Sequence, residues 1–253
     1  TGERHDFMQN YKFTISYDGT KYSGWQSQCN TENTIQGKLE NVLTRMTASK
    51  VEVIGAGRTD AGVHALEMTA NAHFVTQMNT AQILEYINNY LPCDICIKDV
   101  TIVSPRFHSR YNATGKTYRY TCYTGSTKPI FDRNFVYALG KCPDINKMRD
   151  ATEYLLGTHD FKCFCGNAKF NKSSIRTIDL ITIENKDDRV VFTYHGDGFL
   201  QNMVRIITGT LLEVGLGMRS PESVKQTIES KKRSEAGFTA PASGLCLIKV
   251  DYS

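Results

Sequence analysis

The stretch Val51-Glu52-Val53-Ile54-Gly55-Ala56-Gly57-Arg58-Thr59-Asp60-Ala61-Gly62-Val63-His64-Ala65-Leu66 decides how this chain is read. Val51–Ala56 has the short, β-branched character of a strand, a glycine-rich loop follows, and a longer strand is expected over Leu66–Phe74. Upstream, Asn33-Thr34 offers a helix N-cap before Ile35, Leu39, Val42, Leu43 and Met46, which recur at helical spacing. Before that helix, Tyr11–Tyr17 alternates as a strand does and stops at the turn pair Asp18-Gly19. Downstream, Thr80 is placed to cap a helix through Ile83, Leu84 and Ile87, and Ile95–Val103 reads as a further strand. The order strand, helix, strand, strand, helix, strand is the split βαβ unit.

The second half repeats that order with other lengths. Lys116–Tyr123 reads as a strand and Ile145–Leu156 as a helix, with a hairpin of Ile175–Glu184 and Val190–Tyr194 turning at Lys186-Asp187-Asp188. A long helix is expected from Phe199 to about Val214, another over Pro221–Lys231, and a last strand over Leu245–Val250. The expected fold is therefore α+β: two ferredoxin-like halves, their antiparallel sheets side by side, with a catalytic cleft between them. The expected divisions are an N-terminal tail over residues 1–10, a first half over 11–112 carrying the glycine loop, and a second half over 113–253.

Composition narrows the class without naming a chemistry. The 253 residues are 40% hydrophobic and 22% charged, with no apolar run long enough to cross a bilayer. No basic cluster followed by an apolar stretch opens the chain, so a cytoplasmic location is expected. Eight cysteines lie scattered, and in such a chain thiols are expected to stay reduced. Cys93-Asp94-Ile95-Cys96 has CxxC spacing, but its only supplements are His159 and the Cys163/Cys165 pair, so no metal is expected.

The glycine loop sets Arg58 and Asp60 two residues apart. If the segment is extended, the two side chains point the same way, an acid and a cation poised on a rigid loop. The alternative is a turn in which Asp60 satisfies neighbouring amides. The glycines match neither GxxxxGK[ST] nor GxGxxG before a helix, which excludes the common nucleotide-phosphate loops.

Arg205 sits among Phe199, Met203, Ile206, Ile207, Leu211 and Val214, which recur at helical period. An arginine cannot shed its charge, so a buried one needs an anion unless its stem carries the head to solvent. Asp197 and Glu213 lie off the i±3 and i±4 positions that meet on a helix. Asp60 is the candidate from the other half, and such a pairing would lower its pKa and keep it ionised as a nucleophile.

A net charge of +4 is modest, but its distribution is suggestive. Arg106, Arg110, Lys116 and Arg119 interleave with Phe107, Tyr111, Tyr118 and Tyr120. Lys169, Lys172 and Arg176 form a second cluster and Lys231-Lys232-Arg233 a third. Cations that track phosphates, beside rings on which bases stack, suit an RNA surface.

These strings together resemble the tRNA pseudouridine synthase A (TruA) family from about Tyr11 to Tyr252. The resemblance rests on Asp18-Gly19-Thr20 with Tyr22 and Gly24-Trp25-Gln26, on Thr34 through Glu40, and on Gly55 through Ala65. It continues in Phe107-His108-Ser109-Arg110, Lys116 through Tyr120, Gly157 through Phe161, Met203-Val204-Arg205, and Ala240-Pro241-Ala242 with Gly244-Leu245. The resemblance implies an isomerase that converts uridine to pseudouridine in RNA, expected in the anticodon stem-loop of tRNA, working as a homodimer without a cofactor. It implies Asp60 as the catalytic aspartate attacking a flipped nucleotide, at the base or at C1′, with Arg205 pairing that aspartate. It also implies Tyr118 stacking on the target base with a share in proton transfer, Leu245 on the base's other face, and Arg58 filling the gap left by the nucleotide. His64 and Gln36 also match, and His64 is expected to be a structural hydrogen-bonding residue. The pattern departs at Glu67-Met68, where family members often carry Gly-Gln, and the spacing from there to His73-Phe74 is slightly long. The competing readings are the same chemistry on ribosomal RNA by a diverged paralogue, or an RNA-binding protein or chaperone without catalysis.

Overall fold

The computed structural model describes residues 7–167, 169 and 171–253. The first six positions of the expected tail therefore lie outside the described residues. The fold is α+β and divides into two compact units, the described residues of Thr1–Thr114 with Leu247–Ser253, and Gly115–Cys246.

In the first unit the elements are β1 (Gln9–Tyr17), α1 (Ile35–Thr47), β2 (Ile54–Gly55), β3 (His64–Phe74), α2 (Thr80–Tyr90) and β4 (Ile95–Val103). The strands run β4-β1-β3, every pair antiparallel, with β2 on β3 and the last strand of the chain beside β3. This is the split βαβ arrangement: β1 lies between β3 and β4, where two ladders fix it. Alternation buries Tyr11, Phe13, Ile15 and Tyr17 of β1 on one face. Ile35, Leu39, Val42 and Leu43 of α1 and Ile83 and Ile87 of α2 are the buried stripes of the two helices.

Local chemistry sets the ends of these elements. Thr34 caps α1 by accepting from the Gly37 N–H. For α2 the cap is Asn79, one residue before the expected Thr80, because Asn79 and Gln82 exchange side-chain and backbone bonds as a capping box. The expected strand Val51–Ala56 shortens to Ile54–Gly55, though the Ala56 N–H still reaches the Thr69 carbonyl at 2.8 Å. Two register shifts explain where alternation fails. Ile15 faces Met68 but Tyr17 faces Ala65, so β3 bulges at Leu66-Glu67, while from Met68 to Phe74 its register with β1 is regular. On β4, Thr14 faces Asp99 and Ile15 faces Ile97, so Lys98 is the extra residue.

The second unit holds β5 (Ala113–Tyr123), which begins at the end of the first, and β6 (Tyr137–Ala138), α3 (Ile145–Thr152), β7 (Gly157–Asp160), β8 (Ile175–Lys186), β9 (Arg189–Gly196), α4 (Met203–Gly215) and α5 (Ser223–Ser230). The last strand is β10 (Leu245–Tyr252). Strands run β5-β9-β8-β7, antiparallel, with β6 parallel to β5. Asp187 and Asp188 both adopt left-handed φ, near 50° and 58°, the geometry of a tight two-residue hairpin between β8 and β9. The helix expected from Phe199 starts only at Met203, because Asn202 takes φ of 59° and breaks the helical path.

A buried polar cluster ties the segment after β4 to the sheet. Asn71 Oδ1 accepts the Ser109 N–H at 2.9 Å, and Asn71 Nδ2 donates to Asn10 Oδ1 at 3.0 Å. Asn10 Nδ2 in turn donates to the carbonyls of Ser104 and Phe107, and Ser109 Oγ donates to Ile54 O. All three side chains are fully buried, so each bond replaces water that cannot enter. Asn71→Leu should leave the Ser109 amide and the Asn10 carbonyl unpaired and lower stability by about 2–4 kcal/mol. Urea denaturation measures this, and a loss below about 0.5 kcal/mol would contradict the account.

Candidate active site

The loop between β2 and β3 carries the Arg58/Asp60 pair. It is gripped by the segment that follows β1, and glycine makes the grip possible. A Cβ on Gly19 would stand 2.0 Å from the Val63 carbonyl oxygen, and one on Gly24 2.7 Å from the Thr59 carbonyl oxygen. A side chain on Gly55 would meet the Trp25 ring at 2.5 Å. Gly24 also takes φ of 97°, a region that L side chains avoid. The Trp25 N–H donates to Thr59 O at 3.1 Å, and the Gly62 N–H to Tyr22 O at 3.4 Å.

Asp60 itself opens a β-turn: its carbonyl accepts the Val63 N–H at 3.1 Å, with Gly62 at φ of 78° in the third position. The side chain of Asp60 is half-buried, and Arg58 is exposed. Thr59 between them is buried, and its hydroxyl pairs with the Tyr17 phenol at 2.8 Å.

His64 has the structural part expected of it. The Gly19 N–H lies 3.1 Å from its Nδ1. Asp18 Oδ1 lies 3.1 Å from the same Nδ1 and accepts from the Thr20 amide and hydroxyl. Partial burial works to raise the Asp18 pKa, but the Thr20 bonds and His64 outweigh it, and the net shift is downward. Tyr22 braces the same segment by donating to Asp94 Oδ1 at 2.5 Å, and its burial and that bond hold its phenol protonated. Asp94 stands between the two cysteines of the CxxC spacing. All eight cysteines are free, and no group of three or more His, Cys, Asp or Glu among the described residues is placed to hold a metal. Burial pushes the Cys122 and Cys163 thiols up to about 12, which keeps them protonated and unreactive.

In the second unit Arg205 is half-buried in the first turn of α4. Its Nε donates to Ala240 O at 2.7 Å, its Nη1 donates to Asn202 Oδ1 at 2.9 Å, and its own carbonyl accepts the Ala240 N–H at 3.1 Å. The segment Gly237–Ala240 approaches α4 so closely that a Cβ on Gly209 would stand 1.9 Å from the Phe238 carbonyl oxygen. The two acids nearest in sequence are engaged elsewhere. Glu213 accepts from Arg219 and the Phe238 N–H, and Asp197 accepts the Thr177 N–H.

Tyr118 is 9% exposed and meets Phe199 edge-on at 5.3 Å. Tyr120, two residues on, donates to Pro241 O at 2.8 Å, and Gly244 leaves room for its ring. Leu245 is buried at the start of β10. The expected interleaving of rings and cations on β5 resolves differently. Tyr118 and Tyr120 face the core while Arg119 is exposed, because successive side chains of a strand point to opposite faces. Tyr111 is the ring that does reach the surface, 79% exposed and stacked on His108 at 4.1 Å. Of the third cluster, Lys231 pairs with Asp160 at 3.1 Å, and Arg233 donates to the carbonyls of Ala236 and Gly237.

Comparison with known proteins places the chain in a family. A family model described as tRNA pseudouridine synthase matches residues 14–112 and 151–253. The chain belongs to the tRNA pseudouridine synthase family. It is 46% identical over 245 residues to tRNA pseudouridine synthase A of Bacillus sp. (strain KSM-64), covering 97% of this chain and all of that protein. Over the same shares it is 48% identical to the Clostridium kluyveri tRNA pseudouridine synthase A and 45% identical to that of Acetivibrio thermocellus. A solved chain from a Cbf5-Nop10-Gar1 complex is similar at a TM-score of 0.37 and 11% identity, over 94% of this chain and 49% of that one, a likeness too slight to build on. As a pseudouridine synthase the protein is an isomerase: it moves the ribose from N1 to C5 of uracil and consumes no second substrate.

Several residues that hold this synthase's charged side chains in place, each within its own unit, escape sequence reading. Tyr17 and Thr59 meet only because the β1 register places them together, and Asn202 shows its role only through its left-handed backbone. Asp18 supplies a test. Its folded pKa lies below the ordinary value of 3.8, so on acidification the unfolded chain takes up the proton first. Its contribution is complete above that value and lost as pH falls through the lower folded one. Thermal stability should therefore drop as pH falls below about 4, and Asp18→Asn should make the drop shallower. An unchanged slope in the variant would contradict the assigned role.

Proposed function

We propose that this synthase isomerises a uridine in the anticodon stem-loop of tRNA, with Asp60 as the nucleophile. The observation that carries the reading is the full-length likeness to curated tRNA pseudouridine synthases, combined with an aspartate in a loop fixed by close glycine contacts. Preorganisation of that kind is what an attacking carboxylate needs, since a misplacement of about 1 Å costs on the order of a hundredfold in rate.

In the proposed reaction the target nucleotide leaves the stack, and exposed Arg58 occupies the gap. The Asp60 carboxylate attacks the nucleotide at C1′ or on the uracil ring, and the N1–C1′ bond breaks. The uracil turns, C5 bonds to C1′, the bond to the Asp60 carboxylate breaks and regenerates it, the C5 proton is lost and N1 gains one, so the atoms balance as in any isomerisation. Arg205 supplies the positive charge that keeps Asp60 ionised. That role is supported by the bonds holding its guanidinium at Ala240 and Asn202 and by the engagement of Glu213 and Asp197 elsewhere. Tyr118 stacks on the base and shares in the proton transfer, with Leu245 on the other face; a buried tyrosine and leucine suit an apolar base pocket. No cofactor takes part. The enzyme acts as a homodimer in the cytoplasm, and among the described residues no helix is long and apolar enough to cross a membrane.

Incubating the protein with unmodified tRNA and with ribosomal RNA, then mapping pseudouridine, tests the reading. Pseudouridine should appear in the anticodon arm of tRNA alone. Asp60→Asn should lower turnover by at least about a thousandfold while tRNA affinity stays within about twofold, because charge and nucleophilicity go but shape remains. Modification of ribosomal RNA alone would reassign the substrate. Turnover by Asp60→Asn, with deamidation excluded by mass, would remove Asp60 from the chemistry, and wild-type protein that binds RNA without forming pseudouridine would overturn the catalytic reading.

A further inference from the structure

The peptide that carries Asp60 belongs to no ladder of the sheet, and three of the bonds around it bear on its direction. Two are main-chain bonds already described, Trp25 N–H to Thr59 O and Val63 N–H to Asp60 O. The third joins two side chains: the Tyr17 phenol and the Thr59 hydroxyl, 2.8 Å apart and both buried, at 4% and 7% exposure. Tyr17 is an unusually firm anchor. It closes β1 between two neighbours, in register with Ala65 on β3 and Ile95 on β4, and its ring lies against Trp25 with centroids 6.1 Å apart. Thr59 is β-branched, with few χ1 states, so one bond at its hydroxyl fixes the side chain and with it the peptide leading to Asp60.

We propose that Tyr17 is a positioning residue for the reaction, acting through the Thr59 hydroxyl to hold the Asp60 carboxylate in its attacking direction. This rests on the reading of Asp60 as the nucleophile. The alternative is that the pair only stabilises the fold. The two differ in what happens when both hydroxyls are removed together. Replacing both partners of a buried hydrogen bond by apolar groups of the same shape is nearly neutral for stability, whereas removing one strands the other. A purely structural pair would therefore recover in the double variant, and a positioning pair would not, because the tether is still gone.

The experiment compares Tyr17→Phe, Thr59→Val, the double variant, Thr59→Ser and Asp60→Asn in single-turnover assays on unmodified tRNA, with thermal unfolding and tRNA affinity measured alongside. Tyr17→Phe, Thr59→Val and the double variant should each lose roughly tenfold in rate at saturating enzyme, with tRNA affinity within about twofold of wild type. The double variant should unfold near the wild-type temperature yet stay slow, and Thr59→Ser, which keeps the hydroxyl, should react within about twofold of wild type. A double variant as fast as wild type beside an inactive Asp60→Asn overturns the positioning role alone. Equal rate losses in Thr59→Ser and Thr59→Val overturn it too, since the hydroxyl would then be irrelevant. Turnover by Asp60→Asn overturns the nucleophile reading and this inference together.

Discussion

The backbone of Gly19 passes so near Val63 that no side chain fits between them; a Cβ would lie 2.0 Å from the carbonyl oxygen. That contact is the constraint from which the rest of the first unit's architecture follows. It brings the turn after β1 against the loop before β3, where the Gly19 amide meets the His64 ring and Tyr22 offers its carbonyl to Gly62. Gly24 repeats the approach at Thr59, and Gly55 lets the Trp25 indole close over β2. A loop of this composition would be mobile by itself, because glycine gives up more conformational entropy on ordering than other residues. Here the glycines serve the opposite end. They allow backbone to meet backbone, and the bonds so formed fix the peptide that carries the proposed nucleophile.

The second unit immobilises its cation by the same device. Gly209 admits the segment Gly237–Ala240 onto α4, and Ala240 then holds Arg205 at both its main chain and its side chain. Pro241 and Gly244, in the same run, fix Tyr120 on β5, two residues from Tyr118. The Ala240 carbonyl and the Asn202 amide oxygen fix the direction of the guanidinium, the preorganisation that an electrostatic role in catalysis requires. The strings by which the chain resembles its family are thus, to a large extent, the contacts by which each unit grips one charged side chain.

Much of the fold was legible because period and punctuation agree in this sequence. Tyr11–Tyr17 alternates, Thr34 caps, and Ile95–Val103 is bounded by turn residues, and each appears as an element with nearly those limits. Failures occur where tertiary contacts replaced local signals. Val51–Ala56 looked like a longer strand, but only Ile54–Gly55 finds a partner on β3. The apolar run from Phe199 concealed a left-handed Asn202 that delays the helix, a conformation asparagine tolerates better than most residues but does not by itself announce. Alternating cations and rings around Tyr118 suggested a single RNA-facing surface, whereas strand geometry puts exposed Arg119 on the face opposite Tyr118 and Tyr120. At the candidate site the charged residues were visible by type and setting. The supports were not: Tyr17 and Asn71 act through partners 42 and 61 residues away, separations no local pattern encodes.

The central claim is that the loop bearing Asp60 is held as firmly as the sheet beside it. Amide hydrogen exchange of Trp25 and Val63 tests this most directly, since their N–H groups bond to the carbonyls of Thr59 and Asp60. Protection lasting as long as that of β1 amides such as Phe13 and Ile15 is the result this account predicts. Exchange of either amide at the rate of an open, unprotected loop would contradict it.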